Sequence, residues 1–223
     1  MACILNLETS TTNCSVALSQ DGELIALKED NNLQYSHSER LHLYIDEVIN
    51  IAQVYQHKID AVAVSMGPGS YTGLRIGVSA AKGLCFALDL PLIAVPTLEV
   101  LARKINVNAG CIIPMLDARR MEVYSQVFDA KHHPIEALSA QILQPDSYLN
   151  FLNGQAVYFV GNANNKAKTL INHPNANFES QLPSAEQMCG LSHKKFINHD
   201  FEDLAYFEPF YLKDFIATPP GKI

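Results

Sequence analysis

The chain lacks tryptophan, any excess of basic residues and any apolar run long enough to cross a bilayer. Lysine and arginine total 16 against 23 acidic residues, which gives a formal net charge of -7. A protein that grips nucleic acid unaided normally carries a basic excess or stripe, because it must neutralise phosphates. The densest basic positions are only the pairs Arg119-Arg120 and Lys194-Lys195. Direct nucleic-acid binding by this chain alone is therefore disfavoured.

Cysteines with metal-ligand spacing are also absent from the sequence. The five cysteines are odd in number and form no Cys-x-x-Cys pair. Most lie in apolar runs, where a free thiol behaves as a small hydrophobic side chain. This usage argues against a zinc site built on cysteine and indicates a reducing compartment. Strand-like sequence begins at Cys3, so we expect no signal peptide and a cytoplasmic protein.

The chain does contain a core-forming composition and one glycine-rich stretch. Hydrophobic residues make up 48% of the 223 residues, which is typical of a folded protein with a sizeable core. Residues 59–66 are almost continuously apolar, as in a strand covered on both faces. Glycines then interrupt the run, and a helical pattern follows, with Ser70 or Thr72 as the N-cap. This arrangement either directs free N–H groups at an anion or is a tight turn whose glycines serve packing only.

The order of the predicted elements indicates an α/β protein built from two similar halves. The chain opens with strands over 2–7, 14–18 and 23–28, and Asp21-Gly22 is a strong hairpin signal between the last two. Strands and helices alternate from Ile59 onward, which favours parallel pairing. A strand over 111–117 ends in an acid, as the first strand does, and a second hairpin follows.

We therefore expect two subdomains, 1–106 and 107–223, with the option that the last residues, about 205–223, pack back on the first. The further elements that the sequence predicts are a strand over 91–95, a helix from a Thr97 cap to Lys104, strands over 122–128 and 156–160, a helix over 164–171, a loop over 172–183 and a helix after Ser184.

Two helices have faces that suggest close packing. One, from Ser36 or Ser38 to about Tyr55, is apolar on more than one side, so it is either internal or shared with a partner. The other runs from the glycine loop to about Leu88 and carries Gly73 and Gly77. Glycine inside a helix costs about 1 kcal/mol relative to alanine, so something packs closely there, either the sheet beneath or a second helix.

Four strings of the sequence resemble one known family. They are Ile4-Leu5-Asn6-Leu7-Glu8-Thr9-Ser10-Thr11, the motif from Gly67 to Gly77, Asp117-Ala118-Arg119-Arg120-Met121-Glu122-Val123-Tyr124 and Phe207-Glu208-Pro209-Phe210-Tyr211-Leu212. The resemblance is to TsaB (also called YeaZ), and the strings span the chain from end to end. It implies the actin-like ATPase fold, also called ASKHA: two duplicated, ribonuclease H-like subdomains whose mixed sheets are flanked by helices.

The resemblance also implies a role and partners. Proteins of this family are needed for transfer of the threonylcarbamoyl group from threonylcarbamoyl-AMP to N6 of adenosine 37 in tRNAs that read codons beginning with A. They pair with the catalytic paralogue TsaD, the ATPase TsaE joins them, and they form homodimers in isolation. Contact with tRNA is then indirect, through the complex.

The resemblance further implies that this chain is a non-catalytic scaffold or activator of TsaD. The paralogue carries a His-x-x-x-His metal pair where this chain has Thr97 and Leu101, so no metal site and no catalytic residue are expected. The glycine-rich phosphate turn of the second hairpin is replaced by Ala118-Arg119-Arg120, so no cofactor is expected beyond weak or interface-only ATP or ADP. The alternative is an enzyme, either a residual ATPase or a peptidase, although no Gly-x-Ser-x-Gly nucleophile motif is present.

Two sets of site residues follow from the resemblance. Those expected to bind TsaD or a second copy lie on the two helices: Leu41, Tyr44, Ile45, Val48, Gly73, Ile76, Gly77, Ala80, Ala81 and Leu84. Those expected to form a vestigial phosphate loop lie in turns: Glu8, Thr9, Thr11, Gly67, Gly69 and Arg119. A bulky residue at Gly77 or Ala81 is expected to weaken association while the protomer stays folded.

Overall fold

The computed structural model describes residues 1–31, 37–54 and 58–213. Its elements, in chain order, are β1 (Cys3–Glu8), β2 (Cys14–Gln20), β3 (Glu23–Asp30), α1 (His37–Val54), β4 (Ala61–Gly67), α2 (Tyr71–Leu88), β5 (Leu92–Pro96), α3 (Thr97–Ala102), β6 (Cys111–Asp117), β7 (Glu122–Ser125), β8 (Phe128–Asp129), β9 (Ser139–Ile142), α4 (Leu149–Leu152), β10 (Val157–Val160), α5 (Asn164–Lys168), β11 (Ala176–Glu179) and α6 (Ala185–Ile197). None of the helices in these ranges is long and apolar enough to span a membrane.

The first sheet has the strand order β3-β2-β1-β4-β5. Strands β1, β2 and β3 pair antiparallel, whereas β4 lies parallel to both β1 and β5. Side chains of β1 alternate between the two faces, as the twofold repeat of a strand requires. Leu5 and Leu7 pack with α1 and α2, while Ile4 packs with α6 on the opposite face. Helices on both faces explain why β1 and β4 are apolar almost throughout.

The second sheet repeats this plan, with the order β11-β10-β6-β7-β9. Here β6, β7 and β9 pair antiparallel, and β6, β10 and β11 pair parallel. Its central strand β6 therefore has the same two kinds of neighbour that β1 has in the first sheet. The duplicated mixed α/β fold predicted from the sequence is confirmed.

Several predicted elements were wrong in extent or in their cap. The strand over 122–128 is interrupted after Ser125, and the backbone pairs again only at Phe128–Asp129. The expected loop over 172–183 contains β11, whose backbone pairs with β10 although its side chains are mostly exposed. Thr97 does not cap α3, because its hydroxyl accepts a hydrogen bond from Gly67 N at 3.2 Å. These differences arise from contacts between segments that are distant in sequence.

The last part of the described chain returns to the first half. Helix α6 packs on the first sheet, capped by the Ser184 hydroxyl, which accepts from Glu186 N. Beyond it, Phe207 is buried with the core of the first sheet. The division at 106/107 falls in the loop between α3 and β6 and stays a prediction, as does the proposed packing of residues 214–223, which lie outside the described residues. Ser36 and Tyr55, the predicted limits of α1, also lie outside them.

Candidate functional site: a cleft between the two sheets

A cleft of about 530 Å³ opens between the turn after β1, the glycine loop and the turn after β6. Its first wall contains the residues Ser10, Thr11 and Thr12. Its second wall contains Asp117 and Arg119, and the C-terminal residues 210–213 line it as well. The volume lies in the range of small-molecule sites, and the duplicated hairpins face each other across it.

Glu8 ends β1 and is fully buried beneath the first wall. Its Oε1 accepts a hydrogen bond from Ser10 N at 2.6 Å, whereas Oε2 has no hydrogen-bond partner. Burial raises the pKa of Glu8 to about 6, and hydrogen bonding from Ser10 offsets only part of that effect. The predicted phosphate-loop acid is therefore a desolvated carboxyl group under the turn and does not line the cleft.

The glycines of the 67–77 motif are explained by packing inside the protomer. A Cβ at Gly69 would overlap Ser10, and one at Gly73 or Gly77 would overlap Thr9. The Thr9 hydroxyl donates to Gly73 O at 2.7 Å, and Ser70 N donates to Ser10 O at 2.7 Å. The first turn therefore sits in a groove that only glycine leaves open, which supports the packing alternative stated for this motif.

Gly67 is explained by a different neighbour. Its φ is +113°, and a Cβ there would lie 2.6 Å from Phe210 O. Phe210 N donates in turn to Met66 O at 2.7 Å. The first glycine of the motif thus accommodates the C-terminal segment of this same chain.

The second turn holds two consecutive residues, Arg119 and Arg120, in the left-handed region, at φ +72° and +50°. Such backbone is unfavourable outside glycine and persists only where neighbours fix it. Here the Lys166 ammonium donates to Arg120 O at 3.1 Å and forms an ion pair with Asp117, at 3.1 Å. Asp117 also accepts from Arg119 N at 2.6 Å. The turn is therefore fixed, and it presents Arg119 to the cleft.

Thr97 and Leu101, which the resemblance aligns with the paralogue's metal pair, contribute to packing and to a local hydrogen bond in this structure. Leu101 is fully buried among apolar residues of the second sheet, and Thr97 bonds to Gly67 as described above. Elsewhere, His133 pairs with Asp129 at 3.1 Å and His132 bonds to Ile105 O. Among the described residues no group of three histidine, cysteine or acidic side chains is arranged to hold a metal.

The predicted partner-binding residues require correction. Eight of them are buried inside this protomer: Leu41, Tyr44, Ile45, Val48, Gly73, Gly77, Ala80 and Ala81. Those from α1 pack with those from α2 and with the first sheet, so their apolar faces are already covered. Ile76 and Leu84 are partly buried against the same core. A bulky residue at Gly77 or Ala81 would thus disrupt the protomer itself, contrary to our expectation.

The exposed faces of the same helices carry other apolar residues that the sequence did not single out. Leu43 on α1 is 58% exposed, and Phe86 and Leu88 on α2 are 84% and 52% exposed. Their positions off the main apolar stripe are the signal that could have identified them. The assignment of these helices to a partner interface stays a prediction, and it now rests on these exposed residues instead of the buried ones.

Sequence reasoning also missed three residues: Lys166 and Lys213, which form ion pairs with acidic residues of the second half, and Tyr211, which lines the cleft. Lys166 lies 49 positions from Asp117, and Lys213 forms an ion pair with Glu122, 91 positions away. No local pattern marks such pairs, because a lysine in a polar stretch is usually solvated.

The fold and the cleft define the class of protein. Two sheets with one strand order, joined so that their first hairpins face each other across a cleft, are the actin-like ATPase architecture. The family model described as TsaD, tRNA N6-adenosine threonylcarbamoyltransferase, matches residues 31–218.

Individual relatives narrow the class. The TsaB protein of Haemophilus influenzae, named for tRNA threonylcarbamoyladenosine biosynthesis, is 31% identical over 98% of both chains. TsaB of Escherichia coli is 30% identical over 98% of this chain and 99% of its own. The crystal structure of YeaZ from Pseudomonas aeruginosa superposes with a TM-score of 0.76 at 28% identity, covering 95% of this chain and 100% of the other. The chain belongs to the TsaB family.

Proposed function

We propose that this protein acts in the biosynthesis of threonylcarbamoyladenosine in tRNA, as the names of its relatives state for them. The full-length match to TsaB of Haemophilus influenzae carries this proposal, because it spans both subdomains and not only the shared fold. The role fits a cytoplasmic protein, since tRNA is modified in that compartment.

The protein's part in this process is that of a non-catalytic subunit that supports TsaD. Two observations support this. Leu101, at one of the paralogue's metal-ligand positions, is a fully buried apolar side chain that cannot coordinate an ion. The groove that the motif glycines open is filled by Thr9 and Ser10 of the same chain. The first leaves no metal ligand at that position, and in the second the motif glycines pack against the chain's own turn.

The partner-binding surface that we propose is the exposed side of α1 and α2. Leu43, Phe86 and Leu88 expose apolar surface there, and Gly83 has open space around it. Exposed large apolar side chains on neighbouring helices are candidates for a protein contact when they belong to one contiguous patch. TsaD would bind this side, a second copy of the chain would cover it in isolation, and TsaE would join the assembled complex. Contact with tRNA stays indirect, in line with the net charge of -7.

The experiment that tests this function is reconstitution of the tRNA modification with purified TsaD and TsaE, with and without this chain. Threonylcarbamoyladenosine is quantified by mass spectrometry of digested tRNA. We expect product only when the chain is present. Full modification in its absence would overturn the proposal, and modification by this chain without TsaD would overturn its non-catalytic part.

The enzymatic alternative gains no support from the cleft. A serine nucleophile needs a base within hydrogen-bond reach. The buried hydroxyl of Ser10 and the Nε2 atom of His37, both of which belong to cleft residues, have no hydrogen-bond partner. Hydrolysis of ATP or of a peptide by the isolated chain is the result that would establish the enzymatic alternative.

A further inference from the structure

A segment that follows α6, residues 203–213, runs along the first half and ends across the mouth of the cleft. We call it the C-terminal strap. Its last four residues, 210–213, all line the cleft, so the strap forms part of the enclosure. The cleft is bounded on this side by a chain segment and not by a strand or helix of either sheet.

The strap is fastened to the first half at several points. The Lys82 ammonium donates to Ala205 O at 3.2 Å and to Phe207 O at 3.0 Å, and Phe207 is buried in the core. Further along, Phe210 N donates to Met66 O, as described above. Backbone hydrogen bonds and a buried ring hold this part firmly, since both would be lost to water on release.

An aromatic cluster fastens the next residue of the strap. The rings of Tyr211 and Tyr71 lie 4.9 Å apart, and the Arg75 guanidinium lies 4.2 Å from the centroid of the Tyr71 ring. Arg75 Nε donates to the Tyr211 hydroxyl at 3.2 Å. Tyr71 and Arg75 belong to the first turns of α2, so the cluster joins the strap to the helix that follows the glycine loop.

The attachment to the second half is much weaker. Within the described residues, the polar contact that joins the strap to that half is the ion pair between Lys213 and Glu122, at 2.5 Å. The Lys213 side chain is 46% exposed and the Glu122 side chain 19%. Water and salt reach the ammonium side of the pair and weaken its attraction to the carboxylate. The strap therefore contacts both halves, and it is held firmly to the first half and weakly to the second.

We propose that the strap is a releasable cover of the cleft, with Lys213–Glu122 as its latch. Loss of the ion pair frees the end of the strap from the second half, while Phe207 and Lys82 keep its base in place. Further release unstacks Tyr211 from Tyr71 and exposes the cleft walls at Thr11 and Arg119. Access to the cleft is then set by the strap.

The native cysteines make this device measurable. All five are buried, and burial raises the pKa of each thiol to about 11, so they react slowly with thiol reagents. A cysteine placed on a cleft wall reports access directly. Thr11, which is 7% exposed and lines the cleft, is the first reporter position as Thr11→Cys. Ala118→Cys, on the opposite wall, is the second and serves if the first variant folds poorly.

The test compares the thiol-labelling rate of the reporter cysteine alone with its rate after each of three added substitutions. Lys213→Met removes the latch, Tyr211→Ala removes the aromatic fastening, and Lys195→Met removes a matched surface ion pair, with Asp200, away from the cleft. We expect Lys213→Met to raise the rate about two- to fivefold and Tyr211→Ala to raise it about tenfold. Lys195→Met should leave it unchanged.

Ionic strength provides an independent readout. Raising salt should speed labelling of the parent reporter toward the Lys213→Met rate and have little effect on the Lys213→Met variant itself. Thermal melts with one transition at an unchanged midpoint confirm that the protomer stays folded. Equal labelling rates in all backgrounds would overturn the proposal and make the strap a fixed wall. A rise in Lys195→Met as large as in Lys213→Met would overturn it as well, because global opening would then be the cause.

Discussion

At the scale of single residues, the glycine motif shows what sequence reasoning can and cannot supply. The pattern of Gly67, Gly69, Gly73 and Gly77 indicated close approach by another group, and the structure confirms close approach. It could not say which group approaches, because Thr9 and Ser10 lie some sixty positions earlier in the chain. A bound anion and a closely packed threonine turn both require a backbone position without a Cβ atom, so the glycine pattern does not distinguish them.

Gly73→Ala is therefore expected to destabilise the protomer. The new Cβ would overlap the Thr9 carbonyl oxygen, which belongs to the backbone and moves only with its turn. Overpacking of this kind costs about 1–3 kcal/mol. Gly83→Ala in the same helix is the matched control, since nothing lies within 4 Å of its Cβ and alanine is the better helix former by about 1 kcal/mol. Urea unfolding measures both, and a Gly73→Ala protein as stable as Gly83→Ala would contradict the packing argument.

Glu8 gives a prediction about pH at the same scale. Its pKa is about 6 in the folded protein against an ordinary value of 4.5, so the folded state binds more protons between these values. Its contribution to the free energy of unfolding is therefore greatest below pH 4.5 and falls as the pH rises through 6. The total change is roughly 2 kcal/mol. Glu8→Gln cannot titrate and should lose this component.

The measurement is the difference in unfolding free energy between Glu8→Gln and the parent protein at several pH values. As the pH rises from 4.5 to 6, the range set by the two pKa values, the variant should gain stability relative to the parent. A difference that stays constant across that range would show that the carboxyl group is not desolvated.

At the scale of elements, prediction succeeded where burial on both faces leaves a continuous apolar run. Strands β1, β4, β5 and β6 all follow this rule. The long helices α1 and α2 were predicted instead from apolar residues at helical spacing. Strands β9 and β11 were not predicted, because they lie at the two edges of the second sheet and expose half of their side chains. Backbone pairing with a neighbour defines them, and a composition rich in Asn, Gln and Ser gives no sign of it.

Helices α1 and α2 also carry the prediction about association. Phe86→Lys or Leu43→Lys should weaken binding to TsaD, since each places a charge on the exposed apolar side without touching the core. Loss of a central interface aromatic typically costs about 2 kcal/mol or more, or about thirtyfold in affinity. Ile142→Lys is the matched control, because that apolar side chain is 62% exposed but lies on β9 at the edge of the second sheet.

Affinity is measured by titration calorimetry of each variant with TsaD, and self-association by sedimentation. Unfolding curves that match the parent would confirm that the variants fold. If Phe86→Lys and Leu43→Lys bind TsaD as tightly as Ile142→Lys does, the contact lies elsewhere on the molecule.

At the scale of the whole molecule, the duplication was readable from sequence and the coupling of its halves was not. Two acid-ended strands, each followed by a hairpin, are enough to predict a repeated plan. The halves are joined by an apolar cluster between α3 and the second sheet and by single side chains such as Lys213, and neither contact has a signature in the segments that form it. The repeated plan thus follows from pattern and the actin-like class from the family resemblance, whereas the state of the cleft follows only from the folded structure.

The state of the cleft leads to the last prediction, that the isolated chain binds ATP with Mg²⁺ weakly. A phosphate chain would need free backbone N–H groups at both turns. The first turn is packed into the glycine groove through Thr9, and the second carries arginines at 119 and 120 in place of flexible glycines. The strap covers the mouth of the cleft in addition. We expect a dissociation constant of about 1 mM or weaker by calorimetry.

Comparison with the Lys213→Met variant shows whether the two turns or the strap limits ATP binding. If the turns are the obstacle, the variant binds as weakly as the parent, since removal of the latch leaves Thr9 and Arg119 where they are. If the strap is the obstacle, the variant gains affinity by the same factor by which its labelling rate rises, because both measure one opening equilibrium. Micromolar affinity in the parent protein would contradict both accounts and return the glycine motif to phosphate binding.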